Sequence, residues 1–369
     1  MRGGTSKGLM FHVRDLPVDR DEWTKLLCGA MGSPDPYGRQ LDGMGGGISS
    51  LSKVCVIGPS TRDDADVDYT FAQVMIKDAR VEYHSNCGNM SSAVGPFAFD
   101  EGLVTADDGR CVVRIHSTNT SKIIRSTFFV DGQYTRFDGE FTIPGVAGTG
   151  SPIRLDFLDP GGATTGRLLP TGKVAEWIDV PGHGPIEVSL VDAANAAVFV
   201  RARDVGLRGT ELPVELEVRE ETLALLETLR REASVRMGIA PDVTSAAAIA
   251  SVPFVCIVNE ALESATLSGA VIAASDVHLL ARVISNGQPH RALPLTVSLC
   301  TAVASRLTGS VVAELLAGPV KGAIRLATPS GILEVDSDVD DTDGYWTARS
   351  GTFFRTARRL FEGRVWSAG

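Results

Sequence analysis

Residues 86–99 run Asn86-Cys87-Gly88-Asn89-Met90-Ser91-Ser92 and then Ala-Val-Gly-Pro-Phe-Ala-Phe, without a single charge. Small and apolar on every side, residues 91–99 predict a helix enclosed by other elements rather than laid on a surface. Upstream, 71–83 carries bulky apolar residues at roughly alternate positions, the period of a strand. A thiol therefore sits where an extended segment turns into a helix. The first N–H groups of a helix lack intrahelical partners, and the helix dipole favours negative charge there. Such a start stabilises a thiolate or a bound carboxylate. A lone cysteine packs equally well as a small apolar side chain, but Asn86 on one side and Gly88-Asn89 on the other shift the reading of Cys87 towards chemistry.

The same order recurs later. Residues 271–273 and 279–284 read as strand, 285–294 as a polar turn containing His290 and Arg291, and 295–305 as a second small, apolar, internal helix. The sequences of the two stretches are unrelated, yet the architecture reads as duplicated. Two helix starts at one cleft would give two carboxylate sites. His290 and Arg291 stand just before the second helix, either as a solvated turn or as ligand contacts; Cys300, a turn inside it, reads as core. Frequent punctuation, with 39 Gly and 18 Pro between short Val/Ile/Phe-rich runs, favours a strand-rich α+β protein over a helical bundle. Amphipathic helices are expected at 21–31 and, the longest, at 212–237, where Leu216, Leu223, Leu226 and Leu229 share a face.

Three further stretches bear on function. Residues 41–53 form a Gly-rich loop with Ser49, Ser50 and Ser52 that ends on Lys53, directly before the apolar run Val-Cys-Val-Ile. No phosphate-binding GxxxxGK[ST] and no strand–GxGxxG–helix unit is present. Lys53 is either a solvated surface charge or a desolvated amine able to act as a base. Residues 1–8, Met-Arg-Gly-Gly-Thr-Ser-Lys-Gly, are either a frayed terminus or an anion-binding loop offering Arg2, Lys7, Thr5 and Ser6. Residues 355–359, rich in arginine, read as a surface or interface patch. A net charge of −10 argues against general nucleic-acid binding, and six cysteines without CxxC pairs suggest a reducing compartment. No apolar run is long enough to span a membrane, and the first residues lack the apolar core of a secretory signal, so a cytoplasmic location is expected.

Taken together, residues 1–8, Asp42-Gly-Met-Gly-Gly-Gly with Ser52-Lys53-Val54, Asn86-Cys87-Gly88-Asn89-Met90, His290-Arg291-Ala292, Thr328-Pro-Ser-Gly and Arg355-Thr-Ala-Arg resemble the PrpF-type 2-methylaconitate cis–trans isomerase family, whose relatives include 4-oxalomesaconate tautomerases and 3-methylitaconate isomerases. The resemblance implies a diaminopimelate-epimerase-like α+β fold: two similar strand-rich domains, each wrapped around a central helix, with the active site in the cleft between them. The division expected is 1–108 with 345–369, carrying Lys53 and the Cys87 helix, and 109–344, carrying the helix near 295–306. It further implies cofactor-free, metal-free proton shifts on a small unsaturated di- or tricarboxylate, with Lys53 as base and Cys87 as proton donor or positioning group. Arg2, Thr5, Ser50, Asn86, Gly88, Asn89 and Arg291 are the expected carboxylate contacts, and a homodimer is plausible for the fold. Two departures stand out: Met1 begins the first motif where relatives carry a preceding strand, and Leu295-Thr296 begins the second helix without a cysteine. The latter weighs against an amino-acid racemase using two thiols. A non-catalytic tricarboxylate-binding accessory protein is the other alternative, and which acid is bound is not legible in one chain.

Overall fold

The computed structural model describes residues 1–83, 86–107, 109–342 and 344–367. The chain forms two units, Met1–Asp156 with Phe354–Gly369, and Phe157–Phe353.

In the first unit a tight hairpin joins Arg2–Gly3 to Ser6–His12. Ser6–His12 runs parallel to Lys53–Pro59, which pairs antiparallel with Val67–Val74. That strand runs parallel to Gly109–Ser117, itself a hairpin with Lys122–Asp131. Helix α1 (Trp23–Met31) packs Trp23, Leu27, Cys28 and Met31 against Val54, Val56, Ala72 and Val74. Helix α2 (Gly88–Asp100) lies at the centre, packed against Arg2–Gly3, Ser6–His12, Lys53–Pro59, Gly109–Ser117 and Lys122–Asp131, and only Asn89 and Asp100 along it escape full burial. A Cβ at Gly95 would come within 2.7 Å of Ser126 Oγ and 2.8 Å of Phe128, so the helix seats against Lys122–Asp131 because residue 95 has no side chain. Burial of Met90, Val94 and Phe97 contributes roughly 1.5–3 kcal/mol each.

The second unit repeats this order of pairings. A hairpin joins Gly184–Ala193 to Asn195–Arg201; Asn195–Arg201 runs parallel to Phe254–Glu260; that strand is antiparallel to Leu279–Ser285, which is parallel to Ile324–Thr328, a hairpin with Gly331–Thr342. Helices α3 (Pro213–Glu217), α4 (Glu220–Arg236) and α5 (Val243–Ala248) fall between the second and third strands of the set. Leu225, Leu226, Leu229 and Ala233 of α4 pack on Val188, Leu190, Val198, Val200, Val255 and Ile257. Helix α6 (Leu295–Ala304) is buried at every residue. The insertion point of the central helix, between the antiparallel strand and the next parallel one, is the same in both units. The duplication expected from two uncharged helical stretches is thus a duplication of topology.

Three expectations are corrected. The break expected at 108 (Asp108 itself lies outside the described residues) falls inside the first unit, because Gly109–Ser117 pairs with Val67–Val74 and the adjoining strand seats α2. At the other end, residues 345–353 belong to the second unit, where they pair with Gly331–Thr342. The single helix expected at 212–237 is two, α3 and α4, separated at Val218-Arg219. Val271–Ile272 does not continue into 279–284: it pairs with Ser264–Ala265 in a separate two-stranded sheet. Among the described residues no helix is long and apolar enough to cross a membrane.

Candidate active site

Cys87 is the last extended residue before α2 (φ −109°, ψ 96°) and is half-buried. Its carbonyl accepts the N–H of Ser91 at 2.9 Å and the Ser91 hydroxyl at 3.0 Å, which closes the first turn and leaves the N–H groups of residues 88–90 as helix-start donors. The Ser91 hydroxyl also reaches Asn86 Oδ1 at 3.4 Å. Beneath lies Cys55, whose thiol meets the Tyr69 hydroxyl at 3.8 Å. Burial, then the electrostatic interaction with Cys87, pushes Cys55 up to about 12, so it stays a thiol.

The helix start is tied to the first hairpin. Asn89 Nδ2 donates to Thr5 Oγ1 at 3.0 Å, and Asn89 Oδ1 accepts the Thr5 N–H at 3.3 Å and Arg355 Nε at 3.4 Å. Gly4 turns the hairpin in the left-handed region at φ +51°, where a Cβ would stand 2.2 Å from Asn89 Oδ1. Arg2 braces the same turn from outside, its Nη1 donating to the carbonyls of Gly4 and Thr356 at 2.9 Å each.

Lys53 opens its strand beside Gly8 on one side and Gln73 on the other. Gly8 is three residues beyond Thr5, about 10 Å along the strand. Only 8% of Lys53 is exposed. Its Nζ donates to Gln73 Oε1 at 2.6 Å and sits 4.9 Å from the centre of the Phe71 ring. Gln73 is held in turn, its amide donating to the carbonyls of Ser52 at 2.8 Å and Ser49 at 3.2 Å. Among the described residues no carboxylate pairs with Lys53. Gln40, buried, fixes the Gly-rich loop by donating to Ser52 Oγ at 2.7 Å and accepting the Gly47 N–H at 3.0 Å.

The second unit holds the matching positions with different chemistry. Its hairpin turns at Ala194 (φ +61°), and Asn195, in the place of Thr5, donates to Thr296 Oγ1 at 2.8 Å. Thr296 is the second residue of α6, as Asn89 is the second of α2. The residue before α6 is Pro294, where α2 has Cys87. Strand register carries Lys53 onto Val255 and Gln73 onto Ile284, both buried. Cys300 Sγ donates to the Val191 carbonyl at 3.5 Å, and burial pushes its thiol well up. The buried lysine, its amide acceptor and a cysteine just before the central helix therefore occur at these positions in the first unit and not in the second.

A model of the PrpF protein family matches residues 1–368. The chain belongs to that family. Its relatives include the 3-methylitaconate isomerase of Eubacterium barkeri, 39% identical with 99% of this chain and 95% of the relative covered, and the 2-methyl-aconitate isomerase of Cupriavidus necator, 37% identical with the same coverage. The crystal structure of a methylitaconate-delta-isomerase superposes with a TM-score of 0.83 at 39% identity, over 98% of this chain and 92% of that one. A probable proline racemase from Agrobacterium radiobacter shares the fold alone, with a TM-score of 0.51 at 14% identity over 93% and 83% of the two chains. This PrpF-family chain is accordingly an isomerase with the epimerase-like α+β architecture.

The expected site residues of this PrpF isomerase divide three ways. Thr5, Asn86, Cys87, Gly88 and Asn89 gather at the α2 start, and Lys53 lies one short strand segment away. Arg2 is nearby but committed to backbone carbonyls, and Ser50 stands half-exposed on the 3-10 turn Ser49–Leu51. Arg291 belongs to the second unit, exposed on the turn before α6. Sequence reasoning missed Arg355. Placed with the surface patch, it is only 6% exposed, its Nε on Asn89 and its Nη1 donating to the Phe354 carbonyl at 2.8 Å. Burial pushes its guanidinium below the usual arginine range while leaving it charged at neutral pH. The signal was available in the alternation of Phe353 inward, Phe354 outward and Arg355 inward along a strand.

Proposed function

We propose that this PrpF isomerase moves a proton, and with it a double bond, along an unsaturated di- or tricarboxylic acid of the methylaconitate or methylitaconate kind, with Lys53 as base. The observation that carries the reading is the setting of Lys53: a buried amine whose hydrogen-bond partner is a neutral amide rather than a carboxylate, paired with Gly8 of the strand that follows the Thr5 turn. In its neutral form Lys53 Nζ takes the proton from the carbon allylic to the substrate's double bond. The C–H pair delocalises through the C=C onto the adjoining carboxylate as a dienolate. The N–H groups of residues 88–90 and the Arg355 guanidinium are fixed donors suited to that charge. The proton returns at a different carbon, from Lys53 or from the Cys87 thiol; in the second case Lys53 passes its extra proton to Cys87 to complete the cycle.

The names of the 3-methylitaconate and 2-methyl-aconitate isomerases support this substrate class. A racemase using two thiols is disfavoured, since Pro294 stands where the second thiol would be. Proton NMR in deuterium oxide with a panel of unsaturated acids, native protein against Lys53→Ala, tests the reading. Deuterium uptake or isomerisation by the native protein, lost in the variant, is expected. Binding of the acids without any exchange would replace the enzyme reading with that of a binding protein, and exchange that survives in Lys53→Ala would remove Lys53 as base.

A further inference from the structure

The Gly-rich loop before Lys53 is a motif to which the reaction above gives no task. Its backbone donors do not face an open cradle. The N–H groups of Met44 and Gly45 donate to the carbonyls of Ala30 and Met31, at the end of α1, at 2.9 and 3.2 Å, and the Gly47 N–H donates to Gln40 Oε1. Its glycines allow close packing: a Cβ at Gly43 would stand 2.1 Å from the Gly32 nitrogen, and one at Gly45 would stand 2.2 Å from Gln40 Oε1. The loop is folded down onto α1 and onto the side chain of Gln40.

Gln40 is the residue around which the loop closes. It is 1% exposed and sits at φ +52°, a region that a residue with a side chain keeps only where its surroundings hold it there. Its N–H donates to Asp35 Oδ2 at 2.6 Å. Its Nε2 donates to Ser33 Oγ at 2.9 Å and to Ser52 Oγ at 2.7 Å, so both amide hydrogens and the amide oxygen are engaged. Ser52, fully buried, is the residue before Lys53. Its hydroxyl donates to the Val74 carbonyl at 2.8 Å, and its own carbonyl accepts the Val74 N–H at 3.1 Å and Gln73 Nε2 at 2.8 Å. Gln73 then receives Lys53 Nζ. Gln40 thus reaches the amine twice: through the peptide that joins Ser52 to Lys53, and through the carbonyl that holds Gln73.

The second unit supports this assignment by lacking the device. Val255 stands there in the place of Lys53, and residues 240–254, which lead up to it, contain no glycine. The loop accompanies the lysine.

We propose that Gln40 is a positioning residue for Lys53, acting through Ser52 and Gln73, and that the Gly-rich loop is the brace which aims the base rather than a loop that binds a ligand. This rests on the reading of Lys53 as base. Proton NMR kinetics on the full chain with 3-methylitaconate and 2-methylaconitate as probe acids tests it. Gln40→Asn keeps an amide and a residue tolerant of the left-handed region but falls one carbon short of Ser52. It is expected to lower kcat at least fivefold with KM within twofold. Ser52→Ala, a smaller change at the other end of the same contact, is expected to do the same. Val113→Ala, buried in Gly109–Ser117, is the control for lost stability and is expected to lower Tm with kcat within twofold. In a Gln73→Leu background Gln40→Asn is expected to lower kcat less than twofold further, because the route it acts through is already cut. Unchanged kcat in both Gln40→Asn and Ser52→Ala overturns the proposal, as does a full additional loss in the Gln73→Leu background. Native protein that converts neither acid, or Lys53→Ala as active as native, instead overturns the reading on which it stands.

Discussion

Replacing Gly4 with alanine tests how the first hairpin governs the site. At φ +51° any residue with a Cβ is strained, by about 1 kcal/mol. The larger effect is a collision: the new Cβ falls 2.2 Å from Asn89 Oδ1 and 2.9 Å from Asn89 Cγ, so the side chain has to leave. Asn89 then loses its exchange with Thr5 and its contact with Arg355, together about 2 kcal/mol at roughly 1 kcal/mol for each neutral bond and little for the long one. The total expected is about 3 kcal/mol. Gly102→Ala is the matched control, with a φ of +70° and nothing within 4 Å of the added Cβ; backbone strain alone predicts about 1 kcal/mol. Urea unfolding followed by linear extrapolation reads both. Activity separates them further, since a displaced Asn89 is expected to lower kcat/KM by about 100-fold, equivalent to about 2.7 kcal/mol, while Gly102→Ala leaves it unchanged. Equal stability losses for the two variants with kcat/KM intact in both would refute the account of Gly4 as the residue that seats Asn89.

Gln73→Leu removes the acceptor that aims Lys53 and is expected to lower kcat by about 10- to 100-fold with KM nearly constant; steady-state kinetics showing a change in KM alone would reverse the assignment. Arg355→Gln is expected to raise KM by about tenfold or more, with Arg355→Lys intermediate, and unchanged KM values in both would remove Arg355 from the site. In α4, Glu227 receives Arg230 at 2.7 Å and Arg231 at 2.6 Å. Burial acts to raise the Glu227 carboxyl, but the two guanidinium groups outweigh it and hold it below the usual range. A carboxyl lowered in the folded state contributes stability that is present above its unfolded pKa and lost as pH falls through the folded one. Glu227→Gln should therefore cost about 1–3 kcal/mol at pH 7 and progressively less below about pH 4, and a pH-independent difference in urea midpoints would contradict the ion-pair account.

Much of the architecture was legible because it rests on strong local signals. Uncharged runs at 91–99 and 295–305 have no stable place except inside a wrap of strands, and both helices are there. Thr5, Asn86, Cys87 and Asn89 were legible because small polar residues beside glycine at a helix start have few structural uses. What failed depended on distant pairing. Nothing local at 108 says that the next strand joins Val67–Val74, and the break after α3 carries neither Gly nor Pro. Arg355 was misread because an arginine-rich stretch is usually solvated, and only its place on the inward face of a strand says otherwise. Gln73, in a run chosen for its apolar alternation, became visible only when register set it opposite Lys53.

The pairing of Ala357–Arg358 with Arg2–Gly3 has a consequence for biosynthesis. Residues 157–353 emerge from the ribosome as one continuous stretch, and the strand that flanks Gly4 and the residue Arg355 are translated only after it. The turn that seats Asn89 therefore waits for its neighbour while the second unit is made, roughly 10–40 s at about 5–20 residues per second. A chain halted short of residue 355 would contain Lys53 and Cys87 and still lack the buried guanidinium that donates to Asn89 at the start of α2.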